Sequence, residues 1–259
     1  MKIVVPVKYV PEPTATWSFG ADLLLDRGAV EGRLSELDEY AVEQAVRLVE
    51  GGLDAEIVAV TVGPAKATDA LRKALAMGAT SGVHVLDEAM RGSDALATSL
   101  VLAAAIRRTG FDLVVCGMAS TDAEMSVLPA MVAARLEVPQ VTFAAALSVS
   151  GGAVTIRRDS DTASEEITAP LPALVSVTDQ TGEARYPAFK AIMASKKKPV
   201  TTLSLADLGI APTYVGLAAA ATRIRSLAPR PPRQAGTVVV DEGDGATRIA
   251  DFLAARGFI

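Results

Sequence analysis

One cysteine, one histidine and 4% aromatic residues are spread over 259 positions, and each scarcity removes a class of function. A lone Cys116 permits no internal disulfide, and with His84 as the single imidazole no Cys/His zinc set can be assembled. A formal net charge of −5 leaves no basic excess to neutralise a phosphate backbone, so no nucleic-acid partner is expected. No apolar run reaches membrane-spanning length. Met1 and Lys2 lead straight into Ile3, Val4 and Val5 without a secretory or Arg-rich leader, and the expectation is a soluble, cytoplasmic protein. No GxGxxG fingerprint follows the first apolar run and no GxxxxGKS/T occurs, so dinucleotide dehydrogenases and P-loop NTPases lose their main support.

Catalytic sets are also missing. Nucleophilic catalysis needs a base beside the nucleophile, and His84 sits in Val83-His84-Val85, an apolar strand pattern that predicts a buried, hydrogen-bonded ring. Cys116 ends another apolar run and reads as a small core residue rather than a reactive thiol. An autonomous enzyme therefore has little support in the sequence.

What is present is alternation. Residues 2–7 form a β-branched run that makes a central first strand, ending or bulging at Pro6 because proline cannot donate to the ladder. Residues 14–32 have no clean period; the pieces 23–25 and 26–28 suggest a small projecting hairpin. Ser35 to Asp38 has the form of a capping box, with Ser35 as N-cap and Asp38 reaching back from the third position. The helix that follows runs to about Glu50, with Leu37, Tyr40, Ala41, Ala45, Leu48 and Val49 on one face, and Gly51-Gly52 stops it. A strand over 55–62, a Gly63-Pro64 turn, a helix closed by Gly78, a strand over 82–86 and a helix closed by Gly110 come next. The sum is an α/β fold, a doubly wound, mostly parallel sheet with right-handed crossovers.

Ligands in such sheets bind at the carboxyl ends of the strands, where strand order reverses. Here those ends are residues 6–8, 62–64 and 117 onward. The third belongs to FDLVVCGMASTDAEMSVLPAMVAARL, residues 111–136, where a nucleotide is best placed: a buried strand, Gly117, a small-residue loop, then a helix with Ser126 as N-cap and Pro129 in its first turn. Free backbone N–H groups and the positive end of the helix dipole suit a phosphate.

Beyond 136 the pattern shifts. Residues 140–149 and 153–158 around Ser150-Gly151-Gly152 read as a hairpin, with 173–177 extended, so the sheet gains antiparallel strands. RYPAFKAIMASKKKP, residues 185–199, places Lys196, Lys197 and Lys198 directly after Phe189, Ile192 and Met193 in an otherwise acidic chain. A lysine run is ordinarily a solvated face; the neighbouring Phe and Met make it a docking patch. Residues 1–199 are read as a nucleotide-binding core that includes this segment, and 200–259 as an arm, proline-dense over 228–233, with a last helix through about Ala255.

VPVKYVPEP, AVEQAVRLVE, VGPAKATDALRKALAMGA, DLVVCGMASTD and RYPAFKAIMASKKKP occur here in one order from Val5 to Pro199, about three quarters of the chain, and they resemble the beta subunit of an electron transfer flavoprotein. The resemblance implies an adenine nucleotide alpha hydrolase-like fold and a heterodimer in which an alpha subunit holds most of the redox-active FAD while this chain carries AMP. It implies electrons accepted from acyl-CoA and other flavin dehydrogenases, as in fatty acid oxidation, and passed to a quinone oxidoreductase or another acceptor. Matched motif by motif, the AMP pocket comprises Pro6; Ser35, Glu36, Leu37 and Asp38; Val62; and the run Gly117, Met118, Ala119, Ser120, Thr121, Asp122, Ala123, Glu124, Met125, Ser126, Val127 and Leu128. A recognition segment for the donors maps to Arg185, Tyr186, Phe189, Ile192, Met193, Lys196, Lys197 and Lys198, with Phe189 at the family's leucine anchor, and the 200–259 arm meets the alpha subunit. Two departures stand out. Ser126-Val127-Leu128-Pro129 replaces a polar, Gln-rich helix start, and the aromatic that approaches the flavin after the first strand has no direct counterpart, Pro13 lying near it with Trp17 and Phe19 as candidates. One branch of the family holds a second FAD in place of AMP. A different reading is a stand-alone adenine-nucleotide sensor of the universal-stress type, which needs a Gly-rich phosphate loop late in the domain.

Overall fold

A computed structural model describes residues 1–233, 236 and 238–259, in two compact units, 1–225 and 226–259. The first unit begins with β1 (Lys2–Pro6), a short β2 (Tyr9–Pro11) and β3 (Gly32–Leu34), then α1 (Glu36–Glu50), β4 (Glu56–Val62), α2 (Thr68–Met77), β5 (Ser81–Val85), α3 (Ala95–Thr109), β6 (Leu113–Gly117) and α4 (Leu128–Leu136). It continues through β7 (Gln140–Ala144), β8 (Ala146–Ser150), β9 (Ala153–Asp159), β10 (Ser164–Pro170), β11 (Ala173–Val177), α5 (Phe189–Ser195), β12 (Val200–Leu203) and α6 (Gly216–Ala219). The second unit contains α7 (Gly245–Ala255), with an Asp244–Arg248 ion pair in its first turn and Ile249, Phe252 and Phe258 exposed.

Seven strands form one sheet in the order β12-β5-β4-β1-β6-β11-β7, each pair parallel. The chain steps outward from β1 through β4 to β5 and then returns to the other side of β1 as β6, so the order reverses between β1 and β6. That reversal opens a crevice at the strand ends. Alternation along β1 divides the core: Ile3 and Val5 face α1 and α2 with Ala41, Ala45, Leu71 and Leu75, while Val4 faces α3 and α4 with Val101, Ile106 and Val132. Alanine-rich helix faces allow this close approach without large aromatic side chains.

Several sequence expectations change. The 140–149 run is two strands: Phe143 has φ 61° and Ala145 N donates to Arg157 O, so β7 stays with the main sheet as a parallel edge while β8 crosses to a separate antiparallel sheet, β10-β9-β8. β11, buried throughout, lies between β6 and β7, as a continuously apolar parallel strand must. In 14–32 the antiparallel bridge joins Phe19 to Leu25 around a turn at 20–24, and β2 and β3 close the base of the excursion. On α1 the innermost residues are Ala41, Val42, Ala45 and Val46; Leu37, Tyr40, Leu48 and Val49 are half-buried flanks. Val200, read as the start of an arm, opens β12, which pairs with β5. Positions 234, 235 and 237 of that arm lie outside the described residues.

Leu75 is fully buried between α2 and the sheet. Leu75→Ala is expected to lower the free energy of unfolding by about 2–5 kcal/mol with an unchanged denaturant slope, measured by urea titration.

Candidate functional site

Three strand ends meet at the crevice. At the end of β1, Pro6 pairs with Val60 and Val7 N donates to Val60 O at 2.8 Å, so the ladder survives the proline. At the end of β4, the Thr61 hydroxyl donates to Val7 O at 2.7 Å and Val62 pairs with Val85. His84, buried as expected, stands beneath the turn that follows. Its Nε2 donates to Gly63 O (3.0 Å), which leaves Nδ1 to accept from the Thr68 hydroxyl (3.1 Å) at the start of α2.

The third end is β6. Gly117 lies so close to α1 that a Cβ there would stand 2.7 Å from Leu37 O and 2.6 Å from Asp38 Oδ1, and only glycine fits. The capping box departs from its expected form for this reason. Ser35 is the N-cap, but no side chain caps the helix. Asp38 turns away from its own helix and accepts from Lys8 N at 2.8 Å, while Ser35 Oγ accepts from Thr121 N at 3.3 Å. The two side chains stitch α1 to β1 and to the loop after β6. Burial drives the Asp38 carboxyl up to about 7, against the backbone of Lys8 and Gly117 and the Lys8 charge, which favour its ionised form.

Asp122 carries the loop. Its side chain is fully buried and accepts from Lys8 Nζ at 2.7 Å on one oxygen and from Arg27 on the other, with Arg27 Nε at 3.2 Å. Burial would raise its pKa; the two cations outweigh that and hold it below the ordinary carboxylate range. Lys8 also donates to Ser120 Oγ at 3.2 Å, and its own pKa is lowered by desolvation despite Asp122. Lys8 and Arg27 are absent from the set expected on sequence. Lys8 was readable, since it directly follows the first strand end; Arg27 stands in an aperiodic stretch with no signal.

The remaining positions distribute simply. Met118, Ala119 and Leu128 are half-buried, and Glu36, Ala123, Glu124, Met125 and Val127 are exposed. Ser126, expected as N-cap of α4, has φ 54° and Val127 takes the cap position, because Glu124 at φ 49° and Ser126 together bend the loop sharply. Pro129 does fall in the first turn. Thr121 Oγ1 is buried and has no hydrogen-bond partner within the protein. Cys116, buried with its thiol pKa raised by desolvation and by Asp38, is a core residue as expected. Among the described residues no three His, Cys, Asp or Glu side chains are arranged to hold a metal, and no helix is long and apolar enough to cross a membrane.

The expected recognition segment lies apart from this crevice, against α1 and α2. Phe189 and Tyr186 are 78% and 85% exposed, Met193 and Lys196 and Lys197 are exposed, and Ile192 is half-buried. Arg185 and Lys198 instead face inward to carboxylates and carbonyls of the body.

Residues 22–208 match the electron transfer flavoprotein domain. The chain belongs to the electron transfer flavoprotein family. Similar proteins named electron transfer flavoprotein subunit beta occur in Mycobacterium leprae, 42% identical over 99% of both chains, and in Mycobacterium tuberculosis, 41% identical over the same share. Another, from Syntrophomonas wolfei, is 33% identical over 98% of this chain and 96% of its own.

Folded, the chain keeps the Asp38 proton up to about pH 7, whereas the unfolded carboxyl releases it near 3.8. Protons are therefore held more tightly by the folded form, and this group's contribution to stability is full below about pH 4 and fades as pH climbs through 7. The unfolding free energy of the wild type minus that of Asp38→Asn should decline over this window. A difference that stays flat would show that Asp38 is ionised in the fold.

Proposed function

We propose that this chain is the beta half of a heterodimeric electron carrier in the cytoplasm. An alpha subunit holds most of the FAD, and the 226–259 unit reaches for that subunit. FAD, when bound, supplies the redox chemistry; the present chain orients it, holds AMP as a structural ligand and receives the donors, acyl-CoA and other flavin dehydrogenases, before a quinone oxidoreductase or another acceptor takes the electrons. The observation that carries the docking part is Phe189, 78% exposed beside Tyr186 and Met193 and followed by two exposed lysines. A large apolar side chain left in water on a short helix suits an anchor that a partner buries.

The crevice residues fit an adenylate. Thr121 Oγ1 is a buried hydroxyl lacking a partner, which a ligand oxygen or nitrogen satisfies. Gly117 lets the backbone approach closely, and the cations of Lys8 and Arg27 and the hydroxyls of Ser35 and Ser120 stand around the loop. A stress-type sensor needs a glycine-rich phosphate loop, and the loop after β6, residues 118–127, contains no glycine.

Co-purification with an alpha subunit and a count of AMP against FAD released on denaturation test the assembly; a homodimer carrying ATP overturns it. Thr121→Val should weaken nucleotide retention about tenfold, measured by dialysis, while leaving the nucleotide-free chain as stable or more stable by about 1 kcal/mol, since it removes an unpaired hydroxyl. Phe189→Ala should slow electron uptake from the dehydrogenase at least tenfold, about 2 kcal/mol for a truncated anchor, with FAD content unchanged.

A further inference from the structure

The exposed segment is held at both ends by charge. On its upstream side, the chain over 181–185 lies along the outer face of α1. Gln44 donates to Thr181 O at 3.1 Å, Arg47 to Thr181 O at 3.2 Å and Glu183 O at 2.9 Å. Arg185 then forks onto two carboxylates at once, meeting Glu43 at 2.7 and 3.2 Å and Glu50 at 2.6 and 2.7 Å. On the downstream side, Arg72 of α2 donates to Ser195 O at 2.7 Å and Lys198 O at 3.0 Å, and Lys198 Nζ returns to α2, donating to Leu75 O at 2.8 Å and Ala79 O at 2.7 Å. Between these posts the side chains of Tyr186, Phe189 and Met193 point to solvent.

We propose that Arg185 and Lys198, with their partners Glu43, Glu50 and Arg72, are positioning residues that hold a preformed docking segment, and that they do not themselves meet the partner. The inference rests on reading this segment as the donor-docking element. Its physical basis is the Glu43 carboxylate, whose side chain is 3% exposed on the helix face it shares with Arg47 and Glu50. A buried charge persists only where it is paired and hydrogen-bonded, and this one is met by Arg47 at 2.7 Å and by the fork of Arg185. Burial alone would raise its pKa, and the two guanidiniums hold it lower instead. The fork needs a planar guanidinium with parallel donors, which lysine lacks. Lys198 is likewise committed: two carbonyls at the end of α2 occupy its ammonium, so of the lysine triplet Lys196 and Lys197 alone extend outward. A segment fixed in this way loses less conformational freedom when a partner closes over Phe189, which shows as tighter association rather than faster chemistry.

The test uses the flavin-loaded heterodimer and two readouts: the rate of trypsin cleavage at Lys190, Lys196 or Lys197, and steady-state electron uptake from an acyl-CoA dehydrogenase supplied with its acyl-CoA. Arg185→Lys should speed cleavage of the segment about tenfold and raise the KM for the carrier about tenfold with kcat within about twofold. Glu50→Gln, at a half-exposed position that cannot unfold the core, should move both in the same direction by less. Phe189→Ala serves as contrast, raising KM with no change in cleavage. Unchanged cleavage in Arg185→Lys and Glu50→Gln overturns the latch, and faster cleavage with an unaltered KM overturns its role in docking. A wild-type heterodimer that takes no electrons from the dehydrogenase ends the docking reading itself, while cleavage still decides the latch.

Discussion

A single buried carboxylate, Asp38, determines where the strand ends can lie. It is the third residue of α1, yet it accepts from the Lys8 amide beyond β1, and the α1 backbone beside it presses on Gly117 at the end of β6. These contacts lie at the point where strand order reverses, the place where a parallel sheet leaves backbone groups without neighbours. Removing the carboxylate from water raises its pKa, so the arrangement persists because Asp38 can stay protonated near neutrality and still accept. Asp122 completes the crevice with the opposite solution, remaining ionised because Lys8 and Arg27 each take one oxygen.

Two helices carry this geometry to the exposed segment around Phe189. α1 starts at the crevice with Ser35 and Asp38 and, 15 residues or about 22 Å later, ends where Arg47 and Glu50 grip the segment leading to Phe189. α2 starts above the Gly63 turn, where His84 and Thr68 hold it, and ends where Leu75 O receives Lys198. The crevice and the exposed segment around Phe189 are thus at opposite ends of the same two helices. Phe189 is exposed, but the frame around it is fixed.

The frame was legible in the sequence because its signals are local. Apolar runs gave β1, β4, β5 and β6, terminal glycines such as Gly78 and Gly110 closed α2 and α3, and the three strand ends at 6–8, 62–64 and 117 follow from alternation alone. Side-chain direction was not legible. Ser35-x-x-Asp38 reads as a capping box whether its carboxylate serves its own helix or a strand 30 residues away, and the Lys8 amide decides between them. Arg27 with Asp122 and Arg185 with Glu43 are separated by 95 and 142 residues, and charge pairs at such distances leave no period to detect. The split of 140–149 into β7 and β8 depends on a backbone reversal at Phe143, a residue type that ordinarily avoids positive φ.

The polar groups at the crevice are occupied as struts, and that bears on what it can hold. His84 has both ring nitrogens engaged and Cys116 is buried with a raised pKa, so the two side chains that elsewhere in α/β proteins supply bases and nucleophiles here support turns and core. Around the loop after β6, Lys8 and Arg27 face one ionised carboxylate, Asp122, while Asp38 is neutral below about pH 7. The local balance below that pH is two cations against one anion, each cation already bound to one Asp122 oxygen. When Asp38 ionises above that pH the local excess of positive charge disappears. The same carboxylate that ties α1 to the chain beyond β1 therefore also sets the charge at the crevice.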